Sequence, residues 1–289
     1  MEPEALLDGP VSIKPGQATI GAEITGLDLT RPLVPAVAEA VRRAFANFAV
    51  VWFPDQPLDH DQLEAATRIF GDFGVDPYVA PLAERPHILE VRREAKETSS
   101  PFGAAWHSDW SFQERPPAAT LLHAKIVPPQ GGDTLYADGY AAYEALSPDV
   151  RGRLAGLRGV HSASRPYGPQ GAYARETQSR SMTILSSPEA EKTWSHPIVR
   201  THPSTGRKAL FVNPVYTVGV EGMEPAQADP LLAFLFKHMT QDAFVYRHSW
   251  RPNMLTIWDN RCLMHHATGG YDGHERVMHR TTVAGEVPV

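Results

Sequence analysis

Residues 275–285 read ERVMHRTTVAG. In an extended strand successive side chains alternate faces, so Arg276, Met278, Arg280 and Thr282 share one side while Val277, His279, Thr281 and Val283 share the other. The two arginines then stand about 13 Å apart along the strand. Burying two guanidinium groups in a barrel interior is costly unless anions meet them. With few candidate acids in view, two anionic ligands are the economical explanation.

Outward from this stretch, other short apolar runs, ATLLHAKIV at 119–127, KALFVN at 208–213 and NMLTIW at 253–258, are punctuated by prolines and glycines and read as strands. Four amphipathic helices are expected outside them. The first carries Val37, Val41, Ala44 and Phe48 at helical spacing and gives way to a buried strand, AVVWF, at 49–53. The second starts at Asp59, with Gln62 completing a capping box, and turns Leu63, Ala66 and Phe70 inward. The third starts at Ser147 and Pro148, presenting Val150, Leu154 and Leu157. The fourth starts near Asp229 and Pro230, presenting Leu232, Leu235, Phe236 and Met239. Two stretches, 80–104 and 162–193, show no periodicity. Long structureless loops in a compact domain usually cover or line a site, so both are expected near its mouth.

The 289 residues contain no internal repeat and no Gly/Ser linker, which favours one elaborated domain over 1–289. A hydrophobic fraction of 42% suffices for a core, and 21% charged residues argue against disorder. Thirty-three acidic residues outnumber 27 basic ones and no basic run stands out, which excludes nucleic acid as the expected partner. The start, MEPEALLDGPVSIKP, carries acids where a signal peptide needs positive charge, and no run approaches a membrane span. A cytoplasmic location is expected. One cysteine, Cys262, allows no intramolecular disulfide and no Cys-rich zinc site, so metal chemistry must use His and carboxylate.

Such ligands are at hand in WHSDWSF, residues 106–112. If this segment is extended, His107 and Asp109 point the same way, while Trp106, Trp110 and Phe112 are expected to pack. A third ligand is available in WDNRCLMHHATGGYDGHERVMHRTTVAG, residues 258–285, which holds four of the thirteen histidines. Two His and one carboxylate serve non-haem iron and also catalytic zinc. A hydrolase needs no second anion. An iron(II) oxygenase that consumes a dicarboxylate needs one arginine for the far carboxylate, and a second would suit an anionic substrate, because the planar fork pairs bidentately with carboxylate or sulfonate.

WHSDWSF, GGDTLYAD at 131–138, WDNRCLMHHA and RVMHRTT occur in the order found in the iron(II)/2-oxoglutarate-dependent taurine dioxygenase family, which also includes phenoxyalkanoate dioxygenases. The chain resembles that family from GAEITGLDL at 21–29 to VAGEVP near its end. The resemblance implies a double-stranded β-helix (jelly roll) flanked by helices, with Fe(II) held by His107, Asp109 and His265. It assigns Thr134 and Arg276 to the distal carboxylate of 2-oxoglutarate, which is consumed with O2, and Arg280 to the substrate anion. It further implies hydroxylation of a small organic acid, a sulfonate releasing sulfite and an aldehyde or a phenoxyalkanoate, and a homo-oligomer. One position departs from the taurine enzyme: Asp76 stands where a histidine helps bind the sulfonate. An Asp beside the substrate repels a sulfonate unless it is protonated or turned toward a cation. A zinc hydrolase and a catalytically silent jelly-roll binding protein are the competing classes.

Overall fold

Residues 49–53 place a buried strand directly after a helix, and that junction anchors the architecture. In the computed structural model, which describes residues 11–289, helix α1 (Pro35–Phe48) ends at Ala49, whose φ of 57° turns the chain straight into β3 (Val50–Phe53). The reading of the acidic residues 1–10 lies outside the described residues. Helix α2 (His60–Arg68) starts with the expected capping box: the Asp59 carboxylate accepts from the Gln62 N–H at 2.8 Å, and the Gln62 side chain accepts from the Asp59 N–H at 2.8 Å. Short helices α3 (Gly139–Glu144), α4 (Pro148–Leu154) and α5 (Ser164–Tyr167) follow, and α6 (Pro225–Met239) completes the set.

Strands are numbered in chain order. A seven-stranded sheet runs β1 (Ser12–Pro15), β2 (Ala22–Thr25), β3, β13 (Leu255–Asp259), β5 (Ala119–Ile126), β15 (Arg276–Val283), β4 (Leu89–Arg93), antiparallel except for β2 beside β3. A three-stranded sheet, β12 (Val245–His248), β6 (Thr134–Asp138), β14 (Leu263–Ala267), packs against it. Their shared core joins Leu122, Met254, Trp258 and Met278 of the large sheet and its border to Tyr136 and Leu263 of the small one. A second three-stranded sheet, β11 (Thr217–Val220), β7 (Arg158–Ser162), β8 (Thr193–Pro197), and the hairpin β9 (Val199–Thr201) with β10 (Lys208–Leu210) extend the β structure. Helices α1 and α2 cover the outer face of the large sheet, Thr67 of α2 meeting Thr281 of β15 at 2.7 Å. The protein is mainly β with flanking helices, and no described helix is long and apolar enough to cross a membrane.

Three local expectations change. WHSDWSF is not an extended strand: only His107 pairs, in a single bridge to His265, and Trp110 turns the chain with φ 46°. The fourth helix begins at Pro225, not near Asp229. Pro225 occupies the first turn, where its missing N–H costs nothing, and Pro230 is carried inside the helix by the packing of Ala228, Leu232, Leu235 and Met239. The stretch 80–104 contains β4, an edge strand whose register sets Arg93 opposite Arg276 and Leu89 opposite Arg280. Its sequence, LEVRR, is too charged to stand out as a strand.

Candidate active site

The bridge between His107 and His265 builds the centre of the site. Each residue's N–H donates to the other's carbonyl, at 3.0 and 2.7 Å, locking the loop before residue 110 to strand β14. The two imidazoles lie 4.1 Å apart between centroids. The turn that follows swings Asp109 back toward them. One candidate ligand atom from each of His107, Asp109 and His265 lies within 4.8 Å of the other two, and all three residues are buried. The three side chains converge through pairing and a left-handed turn rather than through strand alternation.

Donor chemistry suits a cation. His107 Nδ1 lies 2.7 Å from the Ala105 carbonyl and donates to it, which leaves the Nε2 lone pair facing the cluster. Burial, then the neighbouring His107, pushes His265 well below its ordinary pKa, so it is a neutral imidazole at neutral pH. Burial raises the Asp109 carboxyl, but the charge of Arg280, with His265 and His107 beside it, outweighs this and holds it well below the usual carboxylate range. Two imidazoles and an ionised carboxylate form a metal-binding set. His266 turns away, with its ring edge-on to Trp106 at 5.5 Å.

Beside this centre is a small cavity of about 40 Å³ lined by Thr134, His107, His265, Arg276 and Arg280 among others. Arg276 enters from β15 and Thr134 from the start of β6. Gly131 and Gly132, both at φ 70°, let the chain lie close here. A side chain at Gly131 would collide with the Gly270 carbonyl at 2.5 Å, and one at Gly132 would press on Arg276 Nε at 3.3 Å. Arg276 has no carboxylate within ion-pair distance among the described residues, and its buried Nε has no hydrogen-bond partner. Burial pulls its pKa below the ordinary value, and Tyr271, Tyr136 and Asp133 offset this only in part. A fixed guanidinium buried without a carboxylate is suited to an anionic group. Trp250, which the sequence reading missed, fixes this corner: its indole N–H donates to Thr134 Oγ1 at 3.0 Å and its ring lies 5.8 Å from the Arg276 guanidinium.

Arg280 is placed differently. Its Nη2 is 3.1 Å from Asp109 Oδ1 and 3.5 Å from Asp76 Oδ1, and the guanidinium lies 4.9 Å over the Trp110 ring. Of the two arginines expected to lack acids, only Arg276 does so among the described residues. Burial works against the charged form of Arg280, but Asp109 and Asp76 overcome it and hold its pKa above the ordinary value. Asp76 is itself engaged: one carboxylate oxygen accepts from the Trp110 indole and the other from Thr282 Oγ1 at 2.9 Å. Trp110 does more than pack, since it supports Arg280 from below and orients Asp76.

A larger cavity of about 400 Å³ opens from His107. Residues 100–105 form one wall, segment 165–180 another and residues 214–216 a third, and they bring Phe102, Tyr167, Tyr173 and Tyr216 to the lining. Arg180 joins the first two walls. Its guanidinium pairs with Glu176 at 2.8 Å, donates to the Ser100 carbonyl at 2.9 Å and lies 4.0 Å from Glu97. Glu97 in turn accepts from the Ser181 N–H at 3.0 Å and from the Ser181 hydroxyl. These cavity residues carried no motif, and only the missing periodicity of their segments pointed to them.

A mainly β fold thus holds a buried two-histidine, one-carboxylate centre able to bind a metal, beside an arginine with no carboxylate partner among the described residues. The chain belongs to the taurine catabolism dioxygenase TauD, TfdA family, whose pattern it matches over residues 12–282. It is 34% identical over 296 residues to the alpha-ketoglutarate-dependent 2,4-dichlorophenoxyacetate dioxygenase of Cupriavidus pinatubonensis, covering 96% of this chain and 99% of that protein. It is 31% identical over 283 residues to the alpha-ketoglutarate-dependent sulfate ester dioxygenase of Pseudomonas putida, covering 96% and 91%. The crystal structure of a taurine dioxygenase from Burkholderia xenovorans superposes with a TM-score of 0.80 at 33% identity, covering 96% of this chain and 91% of that one.

Proposed function

We propose that this protein is an Fe(II)- and 2-oxoglutarate-dependent dioxygenase that hydroxylates a small anionic organic substrate. The observation that carries the reading is Arg276, a buried guanidinium without a carboxylate partner among the described residues, sharing one small cavity with His107 and His265 of the candidate metal centre. Hydrolysis at zinc requires a metal, a water and a general base, and by itself does not call for that arginine. The facing seven- and three-stranded sheets support a jelly-roll core, and the family match over residues 12–282 supports a single domain; the parts of 80–104 after β4 and of 162–193 that wall the larger cavity act as its lids.

His107 Nε2, Asp109 Oδ1 and His265 Nε2 would hold the iron. Iron(II), 2-oxoglutarate and O2 together supply an oxidant strong enough to hydroxylate an unactivated C–H bond, with succinate and carbon dioxide as co-products. The chain's residues bind, orient and exclude water. Arg276 and Thr134 receive the distal carboxylate of 2-oxoglutarate. Arg280 orients the substrate anion through its free Nε, because an Asp109 committed to a dication no longer neutralises it fully. The walls around the larger cavity shield the reacting carbon from bulk water.

For a sulfonate, hydroxylation of the sulfur-bearing carbon yields sulfite and an aldehyde. The structure gives a specific reason to weigh an aryl-bearing acid against it. A cavity of about 400 Å³ lined by Phe102, Tyr167, Tyr173 and Tyr216 exceeds what a two-carbon aminosulfonate fills. Hydroxylation next to an aryl ether oxygen would release a phenol. Iron-loaded protein offered taurine, longer alkylsulfonates and phenoxyalkanoates, with sulfite and phenol followed in parallel, decides between them. Sulfite from the sulfonates alone would remove the aryl reading, phenol alone would remove the sulfonate reading, and neither product from any substrate would remove both.

A further inference from the structure

Asp109 is held by more than its neighbours at the metal centre. Its two oxygens face different surroundings: Oδ1 points toward His107, His265 and Arg280, while Oδ2 accepts from the Thr120 hydroxyl at 2.7 Å. Thr120 Oγ1 accepts in turn from Asn260 Nδ2 at 2.9 Å, and Asn260 Oδ1 accepts from the Trp258 indole N–H at 3.0 Å. All four residues are buried.

The direction of this chain is fixed at both ends. An indole N–H only donates and an ionised carboxylate only accepts. Asn260 therefore turns its carbonyl to Trp258 and its amide hydrogens to Thr120. The Thr120 oxygen, already accepting, directs its one hydrogen to Asp109. Trp258 also packs against the third ligand, with its ring 4.8 Å from that of His265. Because β13 and β14 are joined through residues 260–262, the segment that carries His265 also carries the start of the chain that holds Asp109.

We propose that Trp258, Asn260 and Thr120 form a one-way hydrogen-bond relay that keeps Asp109 a single-oxygen ligand, holding Oδ2 so that only Oδ1 is offered to the cation. A carboxylate free to rotate would offer both oxygens and use a coordination position that the co-substrate needs. The three are positioning residues, and the inference rests on the reading of His107, Asp109 and His265 as a metal site.

Mn(II) binding by the full chain tests it without turnover, read by calorimetry and by the electron paramagnetic resonance line shape of the bound ion. Thr120→Val keeps the side-chain shape and removes the hydroxyl; Thr120→Ser restores the hydroxyl. The relay predicts a Mn(II) Kd about 10- to 100-fold higher and an altered line shape for Thr120→Val, with both returning toward wild type in Thr120→Ser. Asn260→Ala, which leaves the hydroxyl but frees its direction, should weaken binding in the same sense. It replaces Thr120→Val if circular dichroism shows that variant unfolded. Wild-type affinity and line shape in the folded variant would overturn the relay. Failure of the wild-type protein itself to bind Mn(II) would instead overturn the metal-site reading on which it rests.

Discussion

Arg276 and Arg280 lie four residues apart on one strand, and the structure predicts that they fail differently. Arg276 has no carboxylate partner among the described residues, so Arg276→Met removes a cation without stranding an acid there. Its expected effect is about a ten- to hundredfold loss of 2-oxoglutarate affinity, the worth of one charge-assisted contact, with little change in thermal stability. Calorimetric titration with 2-oxoglutarate and a melting curve check both halves. Arg280 neutralises Asp109 and Asp76, so Arg280→Met leaves two buried carboxylates close together. Breaking a buried pair costs about 3–5 kcal/mol. The metal-free variant should melt well below wild type, and added Mn(II) should recover much of the difference by meeting Asp109. Equal melting temperatures without metal would contradict the pairing.

At the scale of elements, the two cavity walls are joined by a clasp in which Arg180, Glu97, Glu176, Ser100 and Ser181 take part. Replacing Arg180 with Ala should let segments 94–105 and 171–181 move independently. Limited proteolysis should then cut both segments faster, and the substrate KM should rise while 2-oxoglutarate affinity holds, since Arg276 and Thr134 lie outside the clasp. Cleavage at wild-type rates in both segments would show that other contacts hold the walls.

Sequence legibility divides along the same line between local and distant contacts. The capping box at Asp59 and Gln62 and the two faces of β15 depend on local spacing, and they stand in the fold as read. The convergence of His107 with Asp109 was legible only as proximity. Its cause, a bridge to a residue 158 positions later and a left-handed Trp110, has no local signature. The resemblance already put Asp76 and Asp109 at the site, but their pairing with Arg280 was not legible for the same reason, since Asp76 meets it across 204 positions. Thr120 and Asn260 carry no chemistry of their own and draw meaning only from what they touch. Trp258 and Asn260 were nonetheless within reach, as neighbours in the WDNR segment that leads to His265.

Over the whole molecule, several histidines are buried in neutral form. Burial lowers His123 to about 4, His196 to about 4 and His248 to about 3. In the unfolded chain a histidine takes up a proton near pH 6.5. Between about pH 6.5 and 4 the unfolded state therefore binds protons that the fold refuses. Stability should fall as pH falls through this window, by about 1.4 kcal/mol per pH unit for each such histidine. Below about pH 4 the loss continues through Asp109 and Asp259, which arginines hold ionised in the fold against burial. Urea unfolding of metal-free protein from pH 7 to 4 measures the slope, and a flat profile would mean that these histidines are already hydrated.

Succinate formation from 2-oxoglutarate by iron(II)-loaded protein in air tests the central claim most directly, with wild type and Arg276→Met compared across the sulfonate and phenoxyalkanoate panel. Turnover by the wild type that one substrate class stimulates, falling in Arg276→Met and partly recovering at high 2-oxoglutarate, is the predicted result. If protein with confirmed iron binding formed no succinate under any condition, the cavity beside His107, Asp109 and His265 would not be a 2-oxoglutarate site.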